Sequence, residues 1–127
     1  MFANMKFSLD DSEGGNTIQS YAKGQVTVSG VTYRGNLILT PTRIIEDWGP
    51  ESFSDLVLSD FNRLAELEPE IVILGTGAVH RFPHPALSLP LMERRIGLES
   101  MATDAACRTY NILMGEGRNI LAALFMI

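Results

Sequence analysis

Apolar and polar positions alternate at short spacing in the first third of the chain, between residues 18 and 40. Glycine-containing turns interrupt the alternation at Lys23-Gly24, Ser29-Gly30 and Arg34-Gly35. Short alternating segments separated by such turns are typical of antiparallel strands. The pattern predicts a β meander of about four strands, followed by a loop that contains Trp48.

The apolar period changes after this loop. Intervals of three predict an apolar stripe on a first helix, with Ser54 or Ser59 as its cap, and the stripe consists of Leu58, Phe61, Leu64 and Leu67. The run IVIL at residues 71–74 shows no alternation. An uninterrupted apolar run of this length predicts a strand buried on both faces, as in a parallel sheet.

Two further helices and two further strands are predicted from residue 88 onward. Ser88 is expected to cap a short helix with Pro90 in its first turn, because proline is tolerated only there. A short strand follows at residues 98–101. Thr103 and Asp104 are expected to open a third helix that ends at Gly115. The last apolar run, residues 120–125, predicts the final strand.

This order of elements predicts the α/β class. We expect a compact three-layer single domain, in which an N-terminal antiparallel β meander is followed by α-β-α-β-α-β with a mostly parallel sheet and right-handed crossovers. Residues 1–16 are polar and contain glycine, so they are expected to form a flexible N-terminal segment. Residues 17–127 are expected to form the single α/β domain.

Composition and charge restrict the classes of function that the chain can have. The chain of 127 residues carries a net charge of −5 and has no basic cluster, which argues against a nucleic-acid partner. Its single cysteine excludes an intrachain disulfide and fits a reducing compartment. The sequence has no apolar run of about 18 residues and no recognisable signal peptide. We therefore expect a cytoplasmic protein that does not span a membrane.

The stretch ILGTGAVHRFPHP, residues 73–85, is the main candidate for chemistry. Ligands of open α/β sheets bind beyond the carboxyl ends of the parallel strands, and the turn Gly75-Thr76-Gly77 falls at such an end. The candidate lining of a polar cleft there consists of Gly75, Thr76, Gly77, Thr103, Thr109, Asn111 and Arg118. The alternatives are a small anion held by the backbone N–H groups, or an architectural turn in which glycine supplies unusual dihedrals.

No complete catalytic or metal-binding constellation is apparent in the sequence. His80 and His84 lie in a proline-containing loop and have no third ligand at a fixed spacing, so no metal site is predicted. Cys107 is flanked by small residues and is expected to be a buried structural thiol. No catalytic residue and no cofactor are assigned. Trp48 is expected either to cover an edge of the core or to contact a partner protein.

Several segments together resemble a known family. These segments are WGP at residues 48–50, PEIVILGTG at 69–77, MATDAACRTYNIL at 101–113 and EGR at 116–118. They resemble a domain-of-unknown-function family that includes the assembly factor 3 of mitochondrial complex I (NADH:ubiquinone oxidoreductase). The resemblance covers nearly the whole chain and implies a three-layer α/β fold and small soluble relatives without an agreed enzyme activity. The chain looks like a bacterial member, because it shows no mitochondrial presequence.

The family motif implied by the resemblance excludes both histidines. It falls on Trp48, Gly75, Thr76, Gly77, Thr103, Ala106, Thr109, Asn111, Glu116 and Arg118. We therefore expect a non-enzymatic protein-binding module that resembles a respiratory complex I assembly factor, with a respiratory-complex subunit or an assembly protein as its partner. The alternative is a small-molecule or anion-binding protein, or an enzyme, that uses the cleft beyond the Gly75–Gly77 turn. The sequence leaves the oligomeric state open, and a homodimer is one alternative.

Overall fold

Three short strands form the antiparallel meander that the sequence predicts. The computed structural model describes residues 15–126, and in it β1 (Ile18–Ala22), β2 (Gln25–Val28) and β3 (Val31–Tyr33) pair in chain order. Gly24 and Gly30 occupy the two connecting turns with φ of 75° and 84°. This left-handed backbone is the conformation for which tight hairpins require glycine.

The remaining five strands form a second, mixed sheet. They are β4 (Leu37–Leu39), β5 (Ile44–Glu46), β6 (Ile71–Thr76), β7 (Gly97–Met101) and β8 (Ile120–Phe125). Their order across the sheet is β5-β4-β8-β6-β7. Strand β6 pairs in parallel with both β7 and β8, whereas β4 pairs antiparallel with β8 and with β5.

The predicted α/β class and its parallel strands are confirmed, but the sheet is wider than predicted. The fourth strand of the predicted meander is β4, which leaves the other three and extends the large sheet beside β8. Strand β5 was predicted as loop because its three residues are too few to show a period. The sheet as a whole is therefore mixed, with its parallel part confined to β8-β6-β7.

Three α-helices connect the strands of the large sheet. They are α1 (Leu58–Glu66), α2 (Leu89–Glu93) and α3 (Thr103–Gly115), and 3-10 turns at Phe53–Asp55 and Pro85–Ser88 precede the first two. Ser88 lies at the predicted N-cap position with Pro90 in the first turn of α2, but its side chain makes no capping bond and donates to the Pro85 carbonyl at 2.7 Å instead.

Two other predicted helix caps are wrong. Helix α1 begins after Val57, whose backbone N–H donates to the Asp60 carboxylate at 2.9 Å, so neither Ser54 nor Ser59 caps it. Helix α3 begins after Ala102, and the Thr103 side chain binds elsewhere. In both helices an apolar residue occupies the N-cap position, and the predicted capping residues lie outside that position or bind elsewhere.

The large sheet is the middle of three layers. Helix α3 and the meander cover one face, where they enclose Ile120, Ala122 and Leu124 of β8. Helices α1 and α2 cover the other face, where they enclose the alternate residues of β8: Leu121, Ala123 and Phe125. Successive side chains of a strand point to opposite faces. A central strand between two layers is therefore apolar at every position, which explains the apolar C-terminal run.

The predicted flexible segment 1–16 lies outside the described residues except for its last two positions. Asn16 is held firmly there, since its backbone N–H donates to the Pro41 carbonyl at 2.9 Å and its side chain donates to the Thr40 carbonyl at 2.9 Å. None of the helices in residues 15–126 is long and apolar enough to cross a membrane.

Candidate functional site

The turn that ends β6 packs closely against the start of α3. A Cβ atom placed on Gly75 would lie 2.9 Å from a Leu124 methyl group, 3.0 Å from the Thr103 hydroxyl and 3.2 Å from the Ala106 methyl group. The first of these distances is shorter than Cβ atoms in proteins show, and the other two are tighter than most Cβ contacts. Gly75 is therefore required for space, and the small side chain of Ala106 serves the same close approach.

Gly77 is required for a different reason. Its φ is 100°, in the region that L side chains rarely adopt, whereas a Cβ atom there would meet only the Met126 carbonyl at 3.7 Å. The sequence-based hypothesis gave both glycines the same conformational role. That explanation is correct for Gly77 and wrong for Gly75, where the limit is the distance to the helix.

Thr103 locks the turn to α3 and β8. Its backbone N–H donates to the Gly77 carbonyl at 2.9 Å, and its hydroxyl accepts the Gly77 N–H at 2.8 Å. The same hydroxyl donates to the Phe125 carbonyl. The Thr103 side chain is buried, so these bonds satisfy groups that water does not reach.

Thr76 connects the other side of the turn to the segment that follows it and to the end of β7. Its buried hydroxyl accepts the Arg81 N–H at 3.0 Å and lies 2.6 Å from the Val79 carbonyl and 3.2 Å from the Met101 carbonyl. Both threonine hydroxyls and the Gly77 N–H are thus engaged within the protein. An anion held by this turn would have to compete with bonds that already exist.

The other predicted cleft residues do not come together with the turn. Asn111 bridges α3 to β1, accepting the Ile18 N–H at 2.9 Å and donating to the Ile18 carbonyl at 2.8 Å. The Thr109 hydroxyl points to the Met101 sulfur at 3.4 Å. Arg118 pairs with Glu70 at 3.0 Å, just before β6 and therefore at the opposite end of the parallel strands. The cleft predicted to join Thr76, Asn111 and Arg118 is not formed.

Trp48 belongs to the core rather than to the surface. Its side chain is 0% exposed and contacts the Phe125 ring edge-on at a centroid distance of 5.4 Å. Residues with positive φ flank it, Asp47 at 57° and Gly49 at 66°. The expectation that Trp48 contacts a partner protein is corrected by this burial, and its alternative role at the edge of the core is the one observed.

Asn36 holds the Trp48 loop in place and was not singled out from the sequence. Its backbone carbonyl accepts the Asp47 N–H at 3.0 Å, and its side chain donates to the Pro50 carbonyl at 2.7 Å and accepts the Met126 N–H at 3.2 Å. A turn asparagine in the sequence Arg-Gly-Asn gives no signal that its partners lie far along the chain.

Cys107 is buried in the first half of α3. Burial, with a smaller contribution from the Asp104 carboxylate, raises the pKa of its thiol from 9.0 to about 12. A thiol with such a pKa is protonated at neutral pH and is a poor nucleophile. The environment agrees with the structural role expected from the sequence.

The two histidines lie on the exposed segment that follows the turn. His80 Nε2 lies 3.3 Å from the Ser100 hydroxyl, and His84 Nδ1 accepts the Ala86 N–H at 3.1 Å. Among residues 15–126, no three side chains of the metal-binding types come together.

The same segment carries much of the exposed apolar surface. Within residues 79–92, the exposed fractions are 57% for Val79, 78% for Phe82, 48% for Leu89 and 64% for Met92. Exposed apolar side chains mark an interaction site where they form a contiguous patch, and these four lie within 14 residues of chain. Phe82 is a weak signal of this surface in the sequence, because it stands between a charged residue and a proline in a segment without apolar periodicity.

Three concave regions surround this segment. One of about 390 Å³ lies between it and the first 3-10 turn, where Phe53, Leu56 and Phe82 contribute apolar walls. One of about 400 Å³ lies between it and β7. The depression at Thr76 and Gly77 has about 200 Å³, which is below the range of typical small-molecule sites.

Comparison with known proteins yields one family and a consistent set of relatives. The model of the family described as "Protein of unknown function (DUF498/DUF598)" matches residues 18–125. The "NADH dehydrogenase [ubiquinone] 1 alpha subcomplex assembly factor 3" of Mus musculus is 35% identical over 109 residues, which cover 84% of this chain and 58% of the mouse protein. The chain thus spans about three-fifths of the length of that relative.

Bacterial proteins show the same similarity. The "13 kDa major membrane protein" of Francisella tularensis is 28% identical over 103 residues, covering 80% of this chain and 84% of that protein. The crystal structure of a Bordetella parapertussis protein superimposes with a TM-score of 0.82 and 34% identity, covering 88% of this chain and 96% of that chain.

Proposed function

We propose, from the premise that the chain belongs to the DUF498/DUF598 family, that it is a non-enzymatic module that binds another protein during assembly of a respiratory complex. The observation that carries the proposal is the 35% identity to an assembly factor of NADH dehydrogenase, over most of this chain. The partner that this relationship favours is a subunit or another assembly protein of the respiratory NADH dehydrogenase, complex I.

The side chains of the central motif support a role without chemistry of their own. The Thr76 and Thr103 hydroxyls are buried and hydrogen-bonded within the protein, and the Cys107 thiol has a raised pKa. A catalytic nucleophile or acid requires access to a substrate and a pKa close to the working pH. The two hydroxyls are occupied by bonds within the protein and the Cys107 thiol is protonated at neutral pH, so none of the three is poised as a nucleophile.

The exposed apolar segment supports binding of a protein. Phe82 and Met92 expose most of their side chains, although the energetic benefit of burying an aromatic ring or a methionine is large. Rigid aromatic anchors of this kind contribute strongly to protein interfaces. The segment is therefore our candidate for the contact with the partner, in place of Trp48.

A second candidate function is binding of a small anionic molecule. The exposed Arg81 lines both the concave region of about 390 Å³ and the smaller depression at the Gly77 turn. A ligand there would raise the melting temperature of the wild-type chain and leave that of Arg81→Gln unchanged. Screening a set of phosphorylated and carboxylated metabolites by thermal shift tests this candidate.

Deletion of the gene in the source organism tests the assembly role. We expect less assembled complex I on native gels and slower NADH oxidation in isolated membranes, both restored by the wild-type gene. Succinate oxidation in the same membranes serves as the control and should not change. Normal complex I levels in the deletion strain would contradict the proposal.

Affinity purification of a tagged chain identifies the partner. We expect complex I subunits or assembly proteins to be recovered with the wild-type chain. The recovered amount should be smaller with Phe82→Ser. The cytoplasmic location and bacterial origin expected from the sequence stay predictions, and fractionation of the same cells tests the location. This test matters because one relative has "membrane protein" in its name.

A further inference from the structure

Strand β7 leaves one edge of the large sheet open. It is the last strand in the order β5-β4-β8-β6-β7, and β6 is its only neighbour among the described strands. An open edge presents unpaired backbone N–H and C=O groups, which an extended segment of another chain can pair with.

The register shows which residues of β7 face the open edge. Gly97 donates its N–H to the Glu70 carbonyl at 3.1 Å and lies beside Ile71 in the parallel register. In a parallel pair, alternate residues of a strand bond to the same neighbour. Gly97, Glu99 and Met101 therefore bond toward β6, and the N–H and C=O groups of Leu98 and Ser100 point outward.

A concave region adjoins the open edge on the side of the Leu98 and Ser100 side chains. It has about 400 Å³, and its apolar wall is formed by Phe82, Pro83 and Pro85. The His80 ring lies 4.4 Å from the Phe82 ring and reaches the Ser100 hydroxyl at 3.3 Å, which places this wall over β7. An added strand would direct alternate side chains into this region.

Glu99 would favour a basic residue in an added strand. It is exposed, and it is the single charged side chain of β7. A second copy paired antiparallel through Leu98 and Ser100 would place Glu99 directly opposite Glu99, where like charges destabilise the pair. A lysine or arginine at that position would instead form a favourable cross-strand pair.

We propose that the open edge of β7 binds an extended segment of a partner protein as an additional antiparallel strand, with a basic residue opposite Glu99 and large apolar side chains on both sides of that residue directed into the region beneath Phe82. This inference rests on the proposed protein-binding function and specifies how the partner is bound. It assigns affinity to the backbone groups of Leu98 and Ser100, and specificity to Glu99 and Phe82.

Selection of peptides tests the inference directly. A phage-displayed library of random peptides of about nine residues, enough to pair along a strand of ordinary length, is selected on the intact chain. The expected consensus is a lysine or arginine with a large apolar residue on each side. Recovery of peptides without this pattern, or failure to enrich any peptide, would overturn the proposal.

A matched pair of variants isolates the backbone contribution. Ser100→Pro removes one outward N–H without touching the bonds to β6, because proline is tolerated where an edge strand faces solvent. Ser100→Ala keeps that N–H and removes only the hydroxyl. Fluorescence anisotropy with a selected peptide should show about two- to tenfold weaker binding to Ser100→Pro, as expected for a lost hydrogen bond, and nearly unchanged binding to Ser100→Ala. Equal binding to both variants contradicts the proposal.

A charge exchange keeps the proposal testable if Ser100→Pro does not fold. Glu99→Lys should weaken binding of the basic peptide, and replacing the basic residue of the peptide by glutamate should restore binding to Glu99→Lys. Absence of this reciprocal effect overturns the assigned register. A wild-type dimer in light scattering that Ser100→Pro dissociates would overturn the choice of partner in favour of a second copy.

The deletion strain separates this inference from the proposed function. If the wild-type gene restores complex I and Ser100→Pro and Glu99→Lys restore it equally well, the inference fails while the assembly role stands. If deletion leaves complex I unchanged, the assembly role fails whatever the peptides bind. If Ser100→Ala restores complex I and Ser100→Pro does not, the result supports both the assembly role and the binding of a partner strand at β7.

Discussion

The turn at Gly75–Gly77 and the segment at residues 79–92 are close in the chain and opposite in physical character. In the turn, the Thr76 hydroxyl is buried and hydrogen-bonded, as is that of Thr103 packed against it, and the backbone lies so close to α3 that a Cβ atom on Gly75 would lie 3.0 Å from the Thr103 hydroxyl. In the segment, large apolar side chains face solvent and the backbone forms only a 3-10 turn and a short helix. Substitutions in the turn are therefore expected to cost stability, and those at the exposed side chains of the segment, though not at its buried Pro90 and Leu91, are expected to cost little.

This difference separates the motif that the family resemblance implies from the surface that we propose binds the partner. The motif residues Gly75, Thr103 and Ala106 are explained by the packing of a helix onto a strand. Phe82, His80 and the open edge of β7 lie outside the motif. They nevertheless border the exposed concave region of about 400 Å³, beside which Glu99 carries a negative charge. A motif shared by a family of this kind can therefore describe its architecture and leave its partners to the neighbouring loop.

The largest expected loss of stability comes from substitution of Gly75. Gly75→Val would force atoms into the Leu124, Thr103 and Ala106 side chains, and we expect it to lower the free energy of unfolding by about 3 kcal/mol, the upper part of the range for overpacked cores. Gly115→Ala is the control, because nothing lies within 4 Å of its added methyl group. Urea denaturation measures both. A variant at Gly75 as stable as wild type would show that α3 can move away from β6.

Removing the Thr103 hydroxyl has the next largest effect. Thr103→Val keeps the shape but leaves the Gly77 N–H and the Phe125 carbonyl without a buried partner, at an expected cost of about 2 kcal/mol. Thr109→Val is the matched control on the same helix, since its hydroxyl contacts only a sulfur atom at 3.4 Å. Equal denaturation midpoints for the two variants would contradict the assigned role of Thr103.

A smaller effect is expected from Cys107 at alkaline pH. Its pKa is raised from 9.0 to about 12 in the folded protein, so between these values the unfolded chain loses the proton while the folded chain keeps it. The thiol therefore favours folding below pH 9, and this contribution falls by up to about 1.4 kcal/mol per pH unit above it.

Comparison of wild type with Cys107→Ala measures the pH-dependent contribution of the thiol to the free energy of unfolding. At pH 8 we expect the variant to be less stable by about 1 kcal/mol, because a small buried volume is lost. At pH 10.5 the difference should vanish or reverse, since alanine has no proton to lose. Parallel stability curves for the two proteins across this range would show that the thiol is not buried as described.

The smallest effect is expected in the exposed segment. Phe82→Ser should change the free energy of unfolding by less than about 0.5 kcal/mol, because the side chain is 78% exposed and surface substitutions cost little. The same variant should nevertheless weaken binding of the selected peptides. A large loss of stability would place Phe82 in the core and remove the contrast between the two regions.

The sequence by itself determined the elements and the class of fold. Local periodicity predicted α1, α3, β6 and β8 because the spacing of apolar residues follows directly from helix and strand geometry. The IVIL run predicted a strand buried on two faces and the apolar C-terminal run predicted the final strand, and both strands are central in the sheet. The resemblance of the motif to one family also came from sequence alone.

The tertiary structure alone decided where the candidate residues meet. Asn111 binds β1 and Arg118 binds Glu70, because the order of strands and the rotation of α3 determine which positions distant in the chain become neighbours. The same holds for Trp48, which a loop sequence cannot distinguish from a surface residue until Asn36 and Phe125 are placed around it. The open edge of β7 likewise exists only in the assembled sheet, since an edge is a property of strand order rather than of any one strand.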